Sequence, residues 1–230
     1  MVTAETVKER PILFSSPMVR AILSGRKTQT RRVIKPQPER MPVRCPYSKT
    51  GWAMEGLPDK NGNKGCDCSR IVRCPYFVDR LWVRESLRQK SNGDFSNSPH
   101  TSRSDWVYAA DDAYLAPNWV EMAGWDVHRS KPSIHMPRWA SRITLEITDV
   151  RVERLQQITE ADAQAEGVGK EFRVDVADFV RGKGAPPVSY RTGFRNLWDR
   201  INGSGSWESN PFCWVIEFKR LPEPAKAGAK

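Results

Sequence analysis

Between Arg26 and Arg32 the chain packs four cationic side chains and two threonine hydroxyls into seven residues, Arg26-Lys27-Thr28-Gln29-Thr30-Arg31-Arg32. Two chemistries fit such a run. Arg26, Lys27, Arg31 and Arg32 can together grip the phosphates of a nucleotide or nucleic acid. Alternatively Lys27, its charge held down by burial and by the neighbouring arginines, can act as a base toward a threonine hydroxyl, a weak nucleophile until its proton is removed. A lysine that keeps its charge stabilises an oxyanion instead. The plainer reading is a solvated or phosphate-binding lysine beside strand threonines. On a strand, Lys27 and Thr30 would point to opposite faces, so joint action requires a bend or bulge.

Cysteine supplies a second chemistry. Four of the five cysteines, Cys45, Cys66, Cys68 and Cys74, fall within thirty residues, and two of them sit in repeated Arg-Cys-Pro-Tyr tetrapeptides, Arg44 to Tyr47 and Arg73 to Tyr76. The segment between is rich in Gly, Asn and Lys and cannot build a core by itself. Four thiolates around a structural Zn²⁺ would order it, because metal-binding free energy then becomes folding free energy. The spacing C-x20-C-x-C-x5-C lacks paired C-x2-C knuckles, so unliganded thiols and disulfides stand as the other readings. No Glu-containing His motif accompanies these cysteines, which argues against a catalytic zinc. Nothing points to an organic cofactor. Cys213, beside Trp214 in a strand-like run, reads as core.

The elements that must position these groups follow from pattern. Ile12-Leu13-Phe14 reads as a short strand. Ser15-Ser16-Pro17 opens a helix that carries Met18, Val19, Ile22 and Leu23 and stops before Gly25. The cationic run continues as a strand to Ile34. Asp79 to Glu85 and Trp106 to Ala109 are strand-like, and Ser91 to Asp105 reads as a loop. Ser141 to Arg154 alternates as one long strand or two joined by a bulge. Thr159 to Asp162 resembles a capping box opening a short helix that ends near Gly167. Tyr190 to Ile201 is an amphipathic helix with Phe194, Leu197, Trp198 and Ile201 on one face, and Phe212 to Phe218 is a last strand. Many strands and few helices predict an α+β, barrel-like mixed β fold. The expected organisation is a single domain over residues 1–230, with a zinc-binding insert at about 39–76, an irregular insert at about 88–131 and a disordered tail at about 222–230.

Composition narrows the partner. The 230 residues carry a formal charge of +10, with nine Trp, eight Phe and five Tyr, and mean hydropathy is −0.61. Cations with abundant aromatics suit an anionic, stackable partner. Trp82, Trp139 and Trp214 are the nearest stacking candidates, with core packing as their plainer role. His135, in Ser133-Ile134-His135-Met136-Pro137-Arg138-Trp139, is a candidate pocket residue or a structural histidine. No apolar run approaches the ~20 residues of a membrane span, and the charged start Met1 to Arg10 is unlike a secretory signal. A cytoplasmic protein without a membrane partner is expected.

The stretch Ile22 to Arg31 resembles the signature of the ASCH domain, a small β-barrel of the PUA-like superfamily with a Gly-x-Lys element after its first helix. Trp214 to Lys219 is similar to that family's barrel-closing strand. Pro11 to Pro36, Asp79 to Glu85, Pro132 to Gly167 and Phe194 to Arg220 look like a phage and prophage group of ASCH proteins, in the expected order. This covers more than half the chain. A phage-encoded protein would act in the bacterial host cytoplasm. The resemblance extends to bacterial N4-acetylcytidine amidohydrolases, whose proposed catalytic set is a Lys, a Thr three residues later and a distant Glu. Lys27 and Thr30 match the first two, and Glu166 takes the third place when their Thr-Glu helix is laid over Thr159 to Gly167. The resemblance thus implies a hydrolase acting on an acylated or otherwise modified base. The competing implications are a non-catalytic RNA or modified-base binding module and a ribonuclease. Arg26, Arg31, Arg32, Trp82, His135 and Trp139 would then contact the ligand.

Overall fold

The computed structural model describes residues 7–47, 51–56, 65–76, 78–89, 106–111, 131–170 and 189–222. In chain order these form β1 (Glu9–Leu13), α1 (Ser16–Leu23), β2 (Gln29–Val33), β3 (Pro42–Arg44), β4 (Trp52–Glu55), β5 (Cys66–Ile71), β6 (Arg80–Arg84), β7 (Leu87–Gln89) and β8 (Trp106–Tyr108). β9 (Thr144–Arg154), α2 (Glu160–Ala165), α3 (Tyr190–Asn202) and β10 (Phe212–Arg220) follow. The class is α+β, with mostly antiparallel sheets and few helices. No closed barrel is present among the described residues. No helix among them is long and apolar enough to cross a membrane. The expected loop at Ser91 to Asp105, most of the insert at 88–131 and nearly all of the tail lie outside the described residues.

The chain divides into two compact units. The first comprises Met1–Gly25, Asp79–Glu146 and Arg220–Lys230. In it β1 runs parallel to β6, Glu9 opposite Arg80 through Leu13 opposite Arg84, and β6 pairs antiparallel with the start of β9. Pro17 stands in the first turn of α1, which buries Val19, Ala21 and Ile22, and Gly25 follows with φ +73°. That left-handed value is nearly free only for glycine, so the expected stop signal acts as read. Ser15 occupies the N-cap but makes no side-chain capping bond. β7 pairs with β8, and Leu87, Tyr108, Met136 and Ala140 form a core cluster with Trp139 against it. Buried Glu85 is clasped by Arg142 at 2.9 and 3.0 Å, and Arg142 holds Asp111 at 2.9 Å while lying over the Tyr108 ring.

The second unit comprises Arg26–Val78 and Ile147–Lys219. Its main sheet runs in the order β9-β10-β2. β10 is buried almost continuously, as a strand covered on both faces must be. Cys213 is fully buried there, as its position beside Trp214 implied. The predicted capping box is present: Thr159 Oγ1 accepts from the Asp162 N–H, and the Asp162 carboxylate accepts from the Thr159 N–H. Glu160 caps the next helix in turn, accepting the Tyr190 and Arg191 N–H groups. α3 buries Phe194 and Trp198 against Leu155, Ile158, Ala163 and Trp207. Ile201, expected on that face, is 56% exposed, because it lies in the last turn beyond the cluster. The cysteine-bearing insert, which shows little sequence periodicity, is a three-stranded antiparallel sheet in the order β3-β4-β5.

Candidate functional site

Lys27 lies between the Gly25 stop and the start of β2, where the chain is pinned from two sides. The Thr28 N–H donates to Ala165 O at 2.9 Å, and the Phe218 N–H donates to Thr28 O at 2.9 Å. This brings Lys27 beside Glu166, the C-cap of α2, in an antiparallel bridge across 139 residues of sequence. Both are buried, at 2% and 4% exposure. Lys27 Nζ donates to Glu166 Oε2, Glu166 O and Gln29 O, each at 2.8 Å. Three acceptors for three ammonium protons is full use of the group. Burial pushes the Lys27 pKa below its ordinary value, opposed by the Glu166 carboxylate and reinforced by Arg32 and Arg31.

Alternation along the strand lines up Lys27, Gln29 and Arg31. Arg31 is fully buried and faces three carboxylates: Glu153 at 2.8 Å, with Asp162 and Glu166 both at 3.5 Å. Arg151 joins the network through Glu153, Asp162, Glu217 and the Gln29 side-chain oxygen. The cation that composition would assign to phosphate is therefore matched by acidic groups from β9 and α2. Glu166 Oε1 and Arg31 Nη1, 3.5 Å apart, are buried without a hydrogen bond among the described residues. Gln29, Arg151, Glu153 and Glu217 were not singled out by sequence, and Asp162 was read only as a capping residue. The available signal was a polar residue at every second position of two strands.

Thr30 is buried on β2 opposite Ile216 of β10. It follows the other parity of the strand, and no hydrogen bond joins it to Lys27 or Glu166 among the described residues. Arg26 is exposed and Arg32 half-buried. Trp82, His135 and Trp139 belong to the first unit. There Trp82 is buried beneath the guanidinium groups of Arg84 and Arg138, Trp139 packs on the Leu87 cluster, and His135 is exposed in a 3-10 turn. Trp214, the third stacking candidate, is buried in β10, where Trp52 of β4 meets it edge-on with ring centroids 5.1 Å apart.

The thiols of Cys45, Cys66 and Cys68 converge: Cys45–Cys66 is 2.9 Å, Cys45–Cys68 3.1 Å and Cys66–Cys68 3.2 Å. These three could hold a metal ion. Around a tetrahedral Zn²⁺ with bonds of about 2.3 Å the sulfurs would stand about 3.8 Å apart, so the trio needs to spread by less than about 1 Å. Hydrogen bonds with Cys45 and Cys66 push the Cys68 thiol up to about 12; a cation binding there must displace that proton. Cys74, the fourth predicted ligand, is buried in the same insert and is not part of the trio. The trio joins the two outer strands of the small sheet, since Cys45 follows β3 while Cys66 and Cys68 lie on β5.

No protein family, curated protein or solved structure matches this chain.

Proposed function

We propose that this is an ASCH-like protein of PUA-related barrel type that binds a nucleotide or nucleic acid and hydrolyses an acyl amide on the exocyclic nitrogen of a modified base. The Lys27–Glu166 pair handles the protons. The observation that carries this reading is the buried Lys27 ammonium, whose three protons all go to acceptors within the chain. A lysine so engaged is poorly placed to clamp phosphate. Its lowered pKa and its carboxylate partner suit proton exchange. Once its ammonium proton has passed to Glu166, the neutral Lys27 amine takes a proton from a water or from the Thr30 hydroxyl. The freed oxygen attacks the acyl carbonyl carbon, the C–N bond breaks, and the departing nitrogen receives the proton back through Lys27 or Glu166. With water the products are a carboxylic acid and the unacylated base; with Thr30 an acyl-enzyme forms first and water then releases the acid.

Binding without turnover is the second reading, favoured by exposed Arg26 at the mouth of the cationic run. For the thiol trio we assign structural zinc, with Cys74 as its fourth ligand. Incubating the protein with N4-acetylcytidine and following products by chromatography tests the reaction. Turnover should fall at least about 100-fold in Lys27→Ala, and loss in Thr30→Ala would identify the hydroxyl as nucleophile. No turnover, or turnover unchanged in Lys27→Ala, overturns the hydrolase. If single-stranded RNA then binds with an affinity that falls steeply with salt, the binding module stands in its place.

A further inference from the structure

The insert is tied to the main sheet of its own unit through two side chains beside the thiol trio. Arg44, the residue before Cys45, donates from Nη2 to Asp149 Oδ1 and to Val150 O on β9, both at 2.7 Å. Its cross-strand partner on β4 is Trp52, over whose ring the guanidinium lies at 5.5 Å. Trp52 in turn packs on Trp214 of β10, and Trp214 is paired with Arg32 of β2, two residues from Thr30. Cys45 is fixed to the same ladder, its N–H donating to Gly51 O at 2.9 Å next to Trp52. A short sheet with few buried side chains of its own gains little stability from burial. Its outer strands β3 and β5 do not pair with each other, and the trio spans them.

We propose that a metal ion bound by Cys45, Cys66 and Cys68 clamps the insert onto the sheet carrying the Lys27 site, with Arg44 and Trp52 as the two points of attachment. Metal occupancy and insert docking are then two sides of one equilibrium, and whatever loosens one weakens the other by the same factor. This rests on the zinc assignment above.

The test measures zinc affinity by competition with a chromophoric chelator in the full-length protein. Asp149→Ala is the informative variant, because Asp149 lies on β9, outside the insert, and cannot touch the metal. Arg44 and Asp149 side chains are 65% and 44% exposed, so their ion pair is screened, and Asp149→Ala should weaken zinc binding only about three- to fivefold. Arg44→Ala, which also loses the Val150 carbonyl and the Trp52 ring, should weaken it about tenfold. The double variant should be no weaker than Arg44→Ala alone, since the pair acts as one contact. Hydrogen exchange in a β9 peptide should rise when zinc is withdrawn from the wild type and not when it is withdrawn from Arg44→Ala. One zinc per wild-type chain with unchanged affinity in both single variants overturns the clamp and leaves the zinc assignment standing. A wild type that binds no zinc overturns both.

Discussion

Exchanging Glu166 for Gln keeps an acceptor beside Lys27 and removes the charge. The ammonium it leaves behind is buried and still directed at Gln29 O and Glu166 O. Breaking a buried pair from one side costs about 3–5 kcal/mol, but Lys27 has an escape, which is to release its proton. Starting from an ordinary value of 10.5, neutralisation near pH 7 costs about 1.36 kcal/mol for each of roughly 3.5 units, or about 4.8 kcal/mol, which caps the loss. In the variant, then, native Lys27 is neutral while the unfolded lysine is protonated. The unfolded state binds one more proton, so stability rises with pH by about 1.4 kcal/mol per unit until the unfolded lysine itself titrates. Urea titrations of both proteins, followed by circular dichroism between about pH 7 and 9, should therefore show a deficit of about 3–5 kcal/mol that shrinks steadily toward alkaline pH. A deficit below about 1 kcal/mol near pH 7 would refute the account, because the pair would then be solvated or already neutral. A deficit independent of pH would refute the neutralisation step.

Glu85 should behave in the opposite sense. Burial raises its pKa above the ordinary carboxylate value despite the Arg142 clasp, so the native state binds more protons than the unfolded one between the unfolded and the native pKa. Its contribution is strongest in acid and falls as pH rises. As pH rises above the ordinary carboxylate value of 4.5, Glu85→Gln should steepen the rise of stability with pH relative to wild type, by up to about 1.4 kcal/mol per unit, read from urea midpoints. Thr159→Ala removes one half of the capping box and should cost about 1 kcal/mol by the same assay. Asp162→Ala should cost more, because Asp162 also faces Arg31 and Arg151.

Local signals in the sequence were legible wherever a short-range rule decided the outcome. Pro17 and Gly25 bracket α1, Thr159 and Asp162 cap α2, and the alternation from Thr144 onward resolves as one eleven-residue strand rather than two. β3, β4 and β5 were not legible, because three to six residues of mixed polarity carry no period. They are held by ladder bonds and side chains reaching out to β9 and β10. Convergence of Cys45 with Cys66 and Cys68 was legible as clustering and spacing but not as geometry, since the register shift in the β4–β5 pairing is a backbone feature. The surroundings of Arg31 were hidden for a different reason. Its carboxylates come from β9 and α2, more than 120 positions away, and a run of cations by itself reads as a surface. Ile201 shows the limit of periodicity: it continues the apolar stripe of α3 past the point where the stripe has anything to cover.

The parallel pairing of β1 with β6 bears on how the chain comes off the ribosome. A parallel pair cannot close through a tight turn, and here the Lys8 N–H waits for the Asp79 carboxylate 71 residues later. During synthesis β1 and α1 emerge first yet remain without a strand partner while the whole cysteine insert is made. The second unit is likewise interrupted, its sheet completed only when the part of β9 from Ile147 onward and then β10 are made. Each unit is thus sewn through the other's sequence, and a cut at residue 25 or 78 separates strands that belong together. Such long-range closure makes assembly slow and exposes unpaired edges on the way, so a fragment that ends at residue 25 or 78 leaves β1 without β6.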